Sequence, residues 1–251
     1  MIELKTPEEI KIMAESGKRL HESVQELLPK IKAGITTYEI DKEAERLIRK
    51  NGAEPSFKRV KGYNWTVCVP INEQIVHTRP SKKRIVKDGD LFTLDIGAYY
   101  QGFHSDYATS FVVGDSIDPG IDRFLKVGKQ TLDKAIEKAK TGHYIGEISK
   151  TIQEEIYGNG YFIHKELTGH GIGRELHEDP FVPGFLDRPV EKTYKMRPGL
   201  VIAIEIIYSM GTEKIAYEQG DDWSIVTRDG SLAACFEHTV AISDKNTCIL
   251  T

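Results

Sequence analysis

Two aspartates, Asp95 and Asp106, lie inside an otherwise apolar stretch, GDLFTLDIGAYYQGFHSDYATSFVVG, from Gly89 to Gly114. Aspartate is depleted in strands, yet the stretch reads as two strands, Leu91–Tyr99 and Phe103–Val113, around a short turn. With Tyr100-Gln101 as the loop, the aspartates are directly opposite each other, with Cβ atoms roughly 5 Å apart. A bulge at Gly102 would shift the register by one residue and leave a close diagonal pair. Facing carboxylates repel and are costly to desolvate. They call for a shared proton, an arginine or a metal ion, unless the hairpin is an edge with both side chains in water. Glu205 narrows that choice. It sits in LVIAIEIIY, which reads as a strand buried on both faces, where a lone ionised carboxylate is strongly disfavoured. Glu237 repeats the pattern in AACFEHTVAI. One such glutamate could serve a structural ion pair; four strand carboxylates fit a dinuclear hard-cation site better. A fifth donor comes from TGHGIGRELHEDP, Thr168–Pro180, where Gly169, Gly171 and Gly173 permit close backbone approach around His170. His170 and His177 are seven apart, so this is no H-E-x-x-H zinc helix. Imidazole with carboxylates suits Mn, Fe, Co or Zn more than Ca or Mg.

The elements that must position these groups are legible. Thr6-Pro7-Glu8-Glu9 is a helix start, and the helix runs to about Leu28, before Pro29. A second begins at Thr36 with Glu39 completing a capping box, and ends at Asn51-Gly52. Further strands are expected at Trp65–Val69, Leu200–Tyr208, Ser224–Arg228 and Cys235–Ile242. Further helices are expected over 121–140 and 146–158, after a turn at Asp118-Pro119-Gly120. EIDKEAERLIRKNG (Glu39–Gly52) coincides with EISKTIQEEIYGNG (Glu147–Gly160) at six of fourteen positions. That fits a duplicated half-domain, although two amphipathic helices ending in Asn-Gly could share these residues by chance. Strands and helices mix without strict alternation, which makes the fold α+β. No linker divides 1–251, so a single domain is expected.

Composition limits the function classes. The chain has 251 residues, 39% hydrophobic and 29% charged, with a net charge of −4. General nucleic-acid binding is not the default for such a balance. Cys68, Cys235 and Cys248 form no C-x-x-C pair, which points to reduced thiols in a cytosol-like, cytoplasmic setting. No signal-peptide core follows Met1, and no segment is long and apolar enough to span a bilayer.

Asp95, Asp106, His170, Glu205 and Glu237, together with INEQIVH (Ile71–His77), LDIG (Leu94–Gly97), FHSDYATSF (Phe103–Phe111), GHGIGRELHEDP (Gly169–Pro180) and FEHTV (Phe236–Val240), resemble the methionine aminopeptidases over nearly the whole chain. The resemblance implies the pita-bread fold, duplicated helices against a central, mostly antiparallel sheet. The short step from His170 to Glu205 leaves no room for the type II insertion, so the likeness is to the compact type I enzymes. It implies removal of N-terminal methionine from nascent proteins ahead of a small second residue, by attack of a hydroxide bridging two divalent ions. Asp95 would chelate one ion, Asp106 and Glu237 would bridge both, and His170 and Glu205 would complete the other. Glu205 would also pass a proton to the leaving amine. His77 and His177 would act catalytically on the substrate without binding metal, and Tyr63, Cys68 and Trp223 would line the methionine pocket. For those three, ordinary core packing is the competing reading.

Several positions depart from the family pattern. Ile206 stands where proline usually follows the ligand glutamate, Thr78-Arg79 where Gly-Ile follows the first histidine, and Leu176 in place of a common phenylalanine. The Phe57–Trp65 loop lacks the usual glycine, tyrosine and proline. None removes a ligand; all cluster around the pocket. Lys58, Arg59, Lys61, Arg79, Lys82, Lys83, Arg84 and Lys87 form a basic set, read either as a solvated face or, through the resemblance, as a docking surface near the ribosomal exit tunnel. A monomer is expected. The competing functions are a Xaa-Pro aminopeptidase-like hydrolase and a non-catalytic binding module on the same fold. The remaining histidines, His21, His104, His143, His164 and His238, read as structural or solvated.

Overall fold

The structure, a computed structural model, describes residues 2–114 and 118–251. Its helices are α1 (Pro7–Leu27), α2 (Thr37–Lys50), α3 (Pro119–Ile136) and α4 (Ile145–Gly158). Its strands are β1 (Glu54–Pro55), β2 (Val67–Cys68), β3 (Gln74–Val76), β4 (Leu91–Tyr100), β5 (Phe103–Val112), β6 (Phe162–Ile163), β7 (Thr168–Gly171), β8 (Glu178–Pro183), β9 (Val201–Ser209), β10 (Ile215–Tyr217), β11 (Ile225–Thr227), β12 (Ala233–Ile242) and β13 (Thr247–Ile249). A ten-stranded sheet follows the order β1-β4-β5-β12-β9-β7-β8, with β2, β6 and β13 attached to β4, β9 and β12; β10, β11 and β3 form a small separate sheet.

Local chemistry explains the helix starts. Thr6 and Thr36 each accept the backbone N–H of the residue three on, while Glu9 and Glu39 reach back to the cap N–H, so two otherwise orphaned donors are satisfied at each end. Asp118-Pro119-Gly120, expected as a turn, opens α3 instead. The Asp118 carboxylate accepts the N–H groups of Gly120 and Ile121. Aspartate followed by proline serves a turn and a helix N-terminus equally well, and the apolar face that follows decides for the helix.

The two halves repeat. α1 and α2 lie on β4 and β5, with Leu20, Ile40, Leu47, Phe92, Leu94 and Ile96 in one core. α3 and α4 lie on β9 and β12, with Phe124, Ile148, Ile152, Ile202, Ile204 and Tyr208 in another. α2 and α4, both fourteen residues long, begin two residues before the two similar segments and end two residues before their final glycines, Gly52 and Gly160. Because side chains alternate along a strand, the even positions of β4 and β9 face the helices and Asp95 and Glu205 face away. Packing in the second core is tight at Gly128, where an added Cβ would lie 2.3 Å from the buried Tyr208 hydroxyl, itself donating to Phe124 O at 2.5 Å. Gly128→Ala is expected to destabilise the fold by about 1–3 kcal/mol through overpacking, measurable as a lowered thermal midpoint.

The β4–β5 hairpin corrects the expected loop. The turn residues are Gln101 and Gly102, with φ of 45° and 93°, the double positive φ of a type I′ turn. Tyr100-Gln101 would have placed two side-chain-bearing residues there. The shifted turn pairs Asp95 with Ala108 and Gly97 with Asp106, so the aspartates are diagonal neighbours on one face rather than directly opposite.

Candidate metal centre and substrate cavity

The five expected ligands occupy two adjacent rows on the sheet face turned away from the helices. In the first row Asp95 of β4 pairs with Ala108 of β5, Ala108 with Glu237 of β12, and Glu237 with Glu205 of β9. In the second, Asp106 is opposite Gly97, and His170 of β7 is opposite Ala203 of β9. The small residues Ala108, Gly97 and Ala203 alternate with the ligands, leaving the space between carboxylates open. Asp106, His170 and Glu237 bring one donor atom each to within 4.8 Å of one another, all three buried. His170 Nε2 lies 3.5 Å from Glu205 Oε1.

Electrostatics favour a cation here. His170 Nδ1 is 2.8 Å from Gly171 O. A carbonyl only accepts, so Nδ1 carries the hydrogen and Nε2 presents its lone pair to Glu205. Burial, then His177, hold His170 down to about 3, so it stays neutral. Burial holds Asp95 up at about 7 against a hydrogen bond from the Cys68 thiol. Asp106, Glu205 and Glu237 are raised well above the usual carboxylate range, first by burial and then by one another's charge and that of Asp95. Among the described residues, Glu237 Oε1 is buried without a hydrogen-bond partner. No arginine or lysine of the described ion pairs reaches the cluster, so electron-rich atoms converge with nothing positive between them. Oxygen and imidazole donors so arranged fit divalent transition-metal ions.

A cavity of about 360 Å³ lies over this face. It is lined by all five of these residues and by His77, His177, Tyr63, Cys68 and Trp223, so all ten expected site residues share one cavity. Its apolar wall holds Phe57, Tyr63, Leu176 and Trp223. The Tyr63 hydroxyl donates to Val67 O at 2.8 Å and lies 3.2 Å from Cys68 Sγ, and its ring is 5.1 Å from that of Trp223. His77, at φ 57°, and His177 are open to the cavity. Burial and then the neighbouring His177 depress His77 to about 4, and burial depresses His177. Both are neutral near pH 7. The His177 ring is 4.4 Å from that of His170.

Other residues of the wall were not foreseen. Phe181, 66% exposed at the rim on β8, is flanked by Pro180 and Pro183; an exposed aromatic between two prolines was the available signal. Glu166, Leu167, Thr168, Val76 and Ile207 also line the cavity, and nothing in their local sequence marks them. Two of the departures, Ile206 and Arg79, have structural accounts. Ile206, expected around the pocket, instead faces the α3–α4 core and is fully buried, because even positions of β9 point to the helices. Arg79 binds Asp221 through Nε at 3.2 Å and a terminal nitrogen at 2.9 Å. Asp221 in turn accepts the N–H groups of Trp223 and Ser224, so Arg79 secures the loop that carries Trp223. His104, read as structural or solvated, is buried and 2.6 Å from Ser56 Oγ.

Comparison with known proteins agrees with this geometry. Residues 11–244 match metallopeptidase family M24. The chain is 40% identical over 251 residues to methionine aminopeptidase 1 of Bacillus subtilis, covering 100% of this chain and 99% of that protein. It is 41% identical to the methionine aminopeptidase of Clostridium acetobutylicum with the same coverage. The crystal structure of methionine aminopeptidase from Thermotoga maritima superposes with a TM-score of 0.95 at 36% identity, covering 100% of this chain and 99% of that one. Prolidase from Pyrococcus furiosus superposes with a TM-score of 0.79 at 26% identity, and only 65% of its chain is covered. The shared architecture is the pita-bread fold.

Proposed function

The chain belongs to metallopeptidase family M24, and we propose that it removes the N-terminal methionine from other polypeptides, ahead of a small second residue, by metal-dependent hydrolysis of the first peptide bond. One observation carries the reading: a cluster of carboxylates and a neutral imidazole forms the floor of a cavity whose wall is aromatic and thiol-bearing. Relatives of this name match end to end, whereas the prolidase has a third of its chain outside the match.

Asp95, Asp106, His170, Glu205 and Glu237 would hold two divalent ions, Co, Mn, Fe or Zn, and Asp106 and Glu237 would be the ligands common to both. When bound, the ions supply Lewis acidity that acidifies water and polarises the scissile carbonyl. The protein's own groups do the rest. Glu205 takes a proton from the attacking water at its carboxylate and returns it to the leaving amine. His177 donates to the oxyanion that develops on the carbonyl oxygen, and His77 contacts the reacting amide. Tyr63, Cys68 and Trp223 receive the methionine side chain, whose polarizable thioether suits aromatic and thiol neighbours. Both halves of the sheet contribute ligands, so the chain acts as one catalytic domain and, with the cavity complete in one copy, as a monomer.

The test is release of free methionine from Met-Ala-Ser by protein loaded with Mn, Fe or Co, with Met-Pro-type peptides in parallel. Release from Met-Ala-Ser is expected; none with any of the three metals would sink the proposal, and preference for a Xaa-Pro bond would point to prolidase-like chemistry. No helix among the described residues is long and apolar enough to cross a membrane, which suits a cytoplasmic site of action on nascent chains. Of the basic set, Lys58, Arg59, Arg79 and Arg84 are paired with Glu45, Glu54, Asp221 and Glu218. That leaves Lys61, Lys82, Lys83 and Lys87 as the charges for contact with a ribosome. Co-sedimentation with ribosomes at low salt, lost as salt rises, is the expected result; no binding at low salt would exclude docking.

A further inference from the structure

The seam between the two halves runs along β5 and β12, where Asp106 and Glu237 meet. Ladder pairing there is short: Ala108 pairs with Glu237 and Tyr107 with His238. Beyond His238 the main chain of β12 turns to other partners. Leu250 N donates to Thr239 O at 2.9 Å, and Thr239 N donates to Thr251 Oγ1 at 3.1 Å. The carbonyl and N–H of Asp106 therefore face a strand whose own backbone is engaged elsewhere. The Thr239 hydroxyl takes both. Asp106 N donates to Thr239 Oγ1 at 2.9 Å, and Thr239 Oγ1 donates to Asp106 O at 2.9 Å. Thr239 is fully buried, so no water can stand in for it.

The other end of the seam carries the same device in reverse. Ser110 Oγ of β5 accepts Cys235 N at 2.9 Å and donates to Cys235 O at 2.9 Å on β12, and Thr93 Oγ1 is 2.7 Å away. Ser110 and Thr239 are mates across the local twofold that relates Ala108 to Glu237, and Cys235 is the mate of Asp106. Two hydroxyls thus staple the halves together. One holds the main chain of a proposed ligand, and the other that of a thiol outside the ligand set.

We propose that Thr239 is the positioning residue for Asp106: its hydroxyl sets where the shared ligand sits between the two halves of the metal centre. The proposal rests on the metallopeptidase reading of that centre. Loss of an outer partner of a metal ligand costs roughly 10–100-fold in metal affinity. Thr239→Val keeps the shape but leaves the Asp106 N–H and C=O buried and unpaired, and Thr239→Ser restores the hydroxyl. Ser110→Ala removes the matching staple at Cys235.

The experiment is calorimetric titration of the chelator-stripped proteins with Mn2+ alone, with circular dichroism on each. Thr239→Val is expected to weaken Mn2+ binding by about 10-fold or more, with Thr239→Ser recovering most of it. Ser110→Ala is expected to lower the thermal midpoint while leaving Mn2+ affinity within about twofold. Unchanged affinity in Thr239→Val overturns the proposal. So does a loss in Ser110→Ala equal to that in Thr239→Val, and so does a Thr239→Val protein unfolded in chelator, since either makes the hydroxyl a general support of the seam. A wild-type protein that takes up no Mn2+, and no Fe2+ or Co2+ when titrated in the same way, overturns the metal-dependent reading of the centre together with the role given to Thr239. Wild-type uptake with unchanged binding in Thr239→Val overturns the positioning role alone.

Discussion

Asp106→Asn is expected to end turnover while making the metal-free protein more stable. The two effects share one cause. Asp106 is buried beside Asp95, Glu205 and Glu237, and its carboxyl is raised well above the usual range by burial and by Asp95 and Glu205. Without metal, ionising any one of these carboxyls works against burial and against the charge of the others; in the proposed reading they are the donors for the metal ions. Asparagine keeps the shape, and its side-chain oxygen can still accept from Tyr107 N, as Asp106 Oδ1 does at 3.0 Å, but it cannot ionise. A carboxyl whose ionisation burial and neighbouring charge both oppose costs stability once the pH forces the proton off, and an amide carries no such cost. The thermal midpoint in chelator should therefore rise. Methionine release should fall by more than about 100-fold, beyond what loss of an outer partner costs, and Mn2+ stoichiometry should drop with it. Retained turnover would refute Asp106 as a shared ligand, and a lowered midpoint in chelator would refute the repulsion.

Adding metal to chelator-stripped protein should raise its thermal midpoint, and by more at pH 8 than at pH 5. A ligand at 100 times its dissociation constant stabilises the folded state by about 2.7 kcal/mol. For a chain of this size each kcal/mol moves the midpoint by roughly 2–4 °C. Protons and metal ions compete for the same oxygens. Carboxyls raised in the folded state, Asp95 to about 7 and the others above their usual range, hold protons above the unfolded carboxylate range near 4. Their contribution to metal-free stability is full below that range and is lost as pH rises through the folded values. Metal offsets that loss, so the metal-dependent increment grows across about pH 4 to 7 and upward. His170, held near 3, is already unprotonated and adds no competition. His104 and His164, depressed by burial, favour the fold less as pH falls, but they do so with and without metal and cancel in the difference. An increment that shrinks with rising pH would place the metal elsewhere.

Much of the centre was legible because carboxylates inside apolar strands are costly and need a cause. Asp95, Glu205 and Glu237 each break an alternation or an apolar run, and each faces away from the helices in the structure. The helix starts at Thr6 and Thr36 were legible because a capping box is local chemistry. The start at Asp118 was misread because the same residues favour a turn, and the packing that tips the balance comes from β9 and β12. Of the two hairpin registers open in the sequence, the one-residue shift with a diagonal aspartate pair is found, because Gln101 and Gly102 adopt the positive φ of the turn.

The sequence by itself determined the types of the candidate ligands and the apolar strands they interrupt, since these follow from side-chain chemistry and short periodicities, while the duplication stayed one of two readings until the helices were placed. Only the tertiary structure decided which strands lie side by side. Ala108 meets Glu237, and Thr239 meets Asp106, because two separately packed halves join along β5 and β12. The cavity wall is likewise non-local: Tyr63, Leu176, Phe181 and Trp223 come from segments far apart in the chain. A period of two says where a side chain points, but no local pattern says which distant strand will be beside it, because that depends on how both cores pack at once.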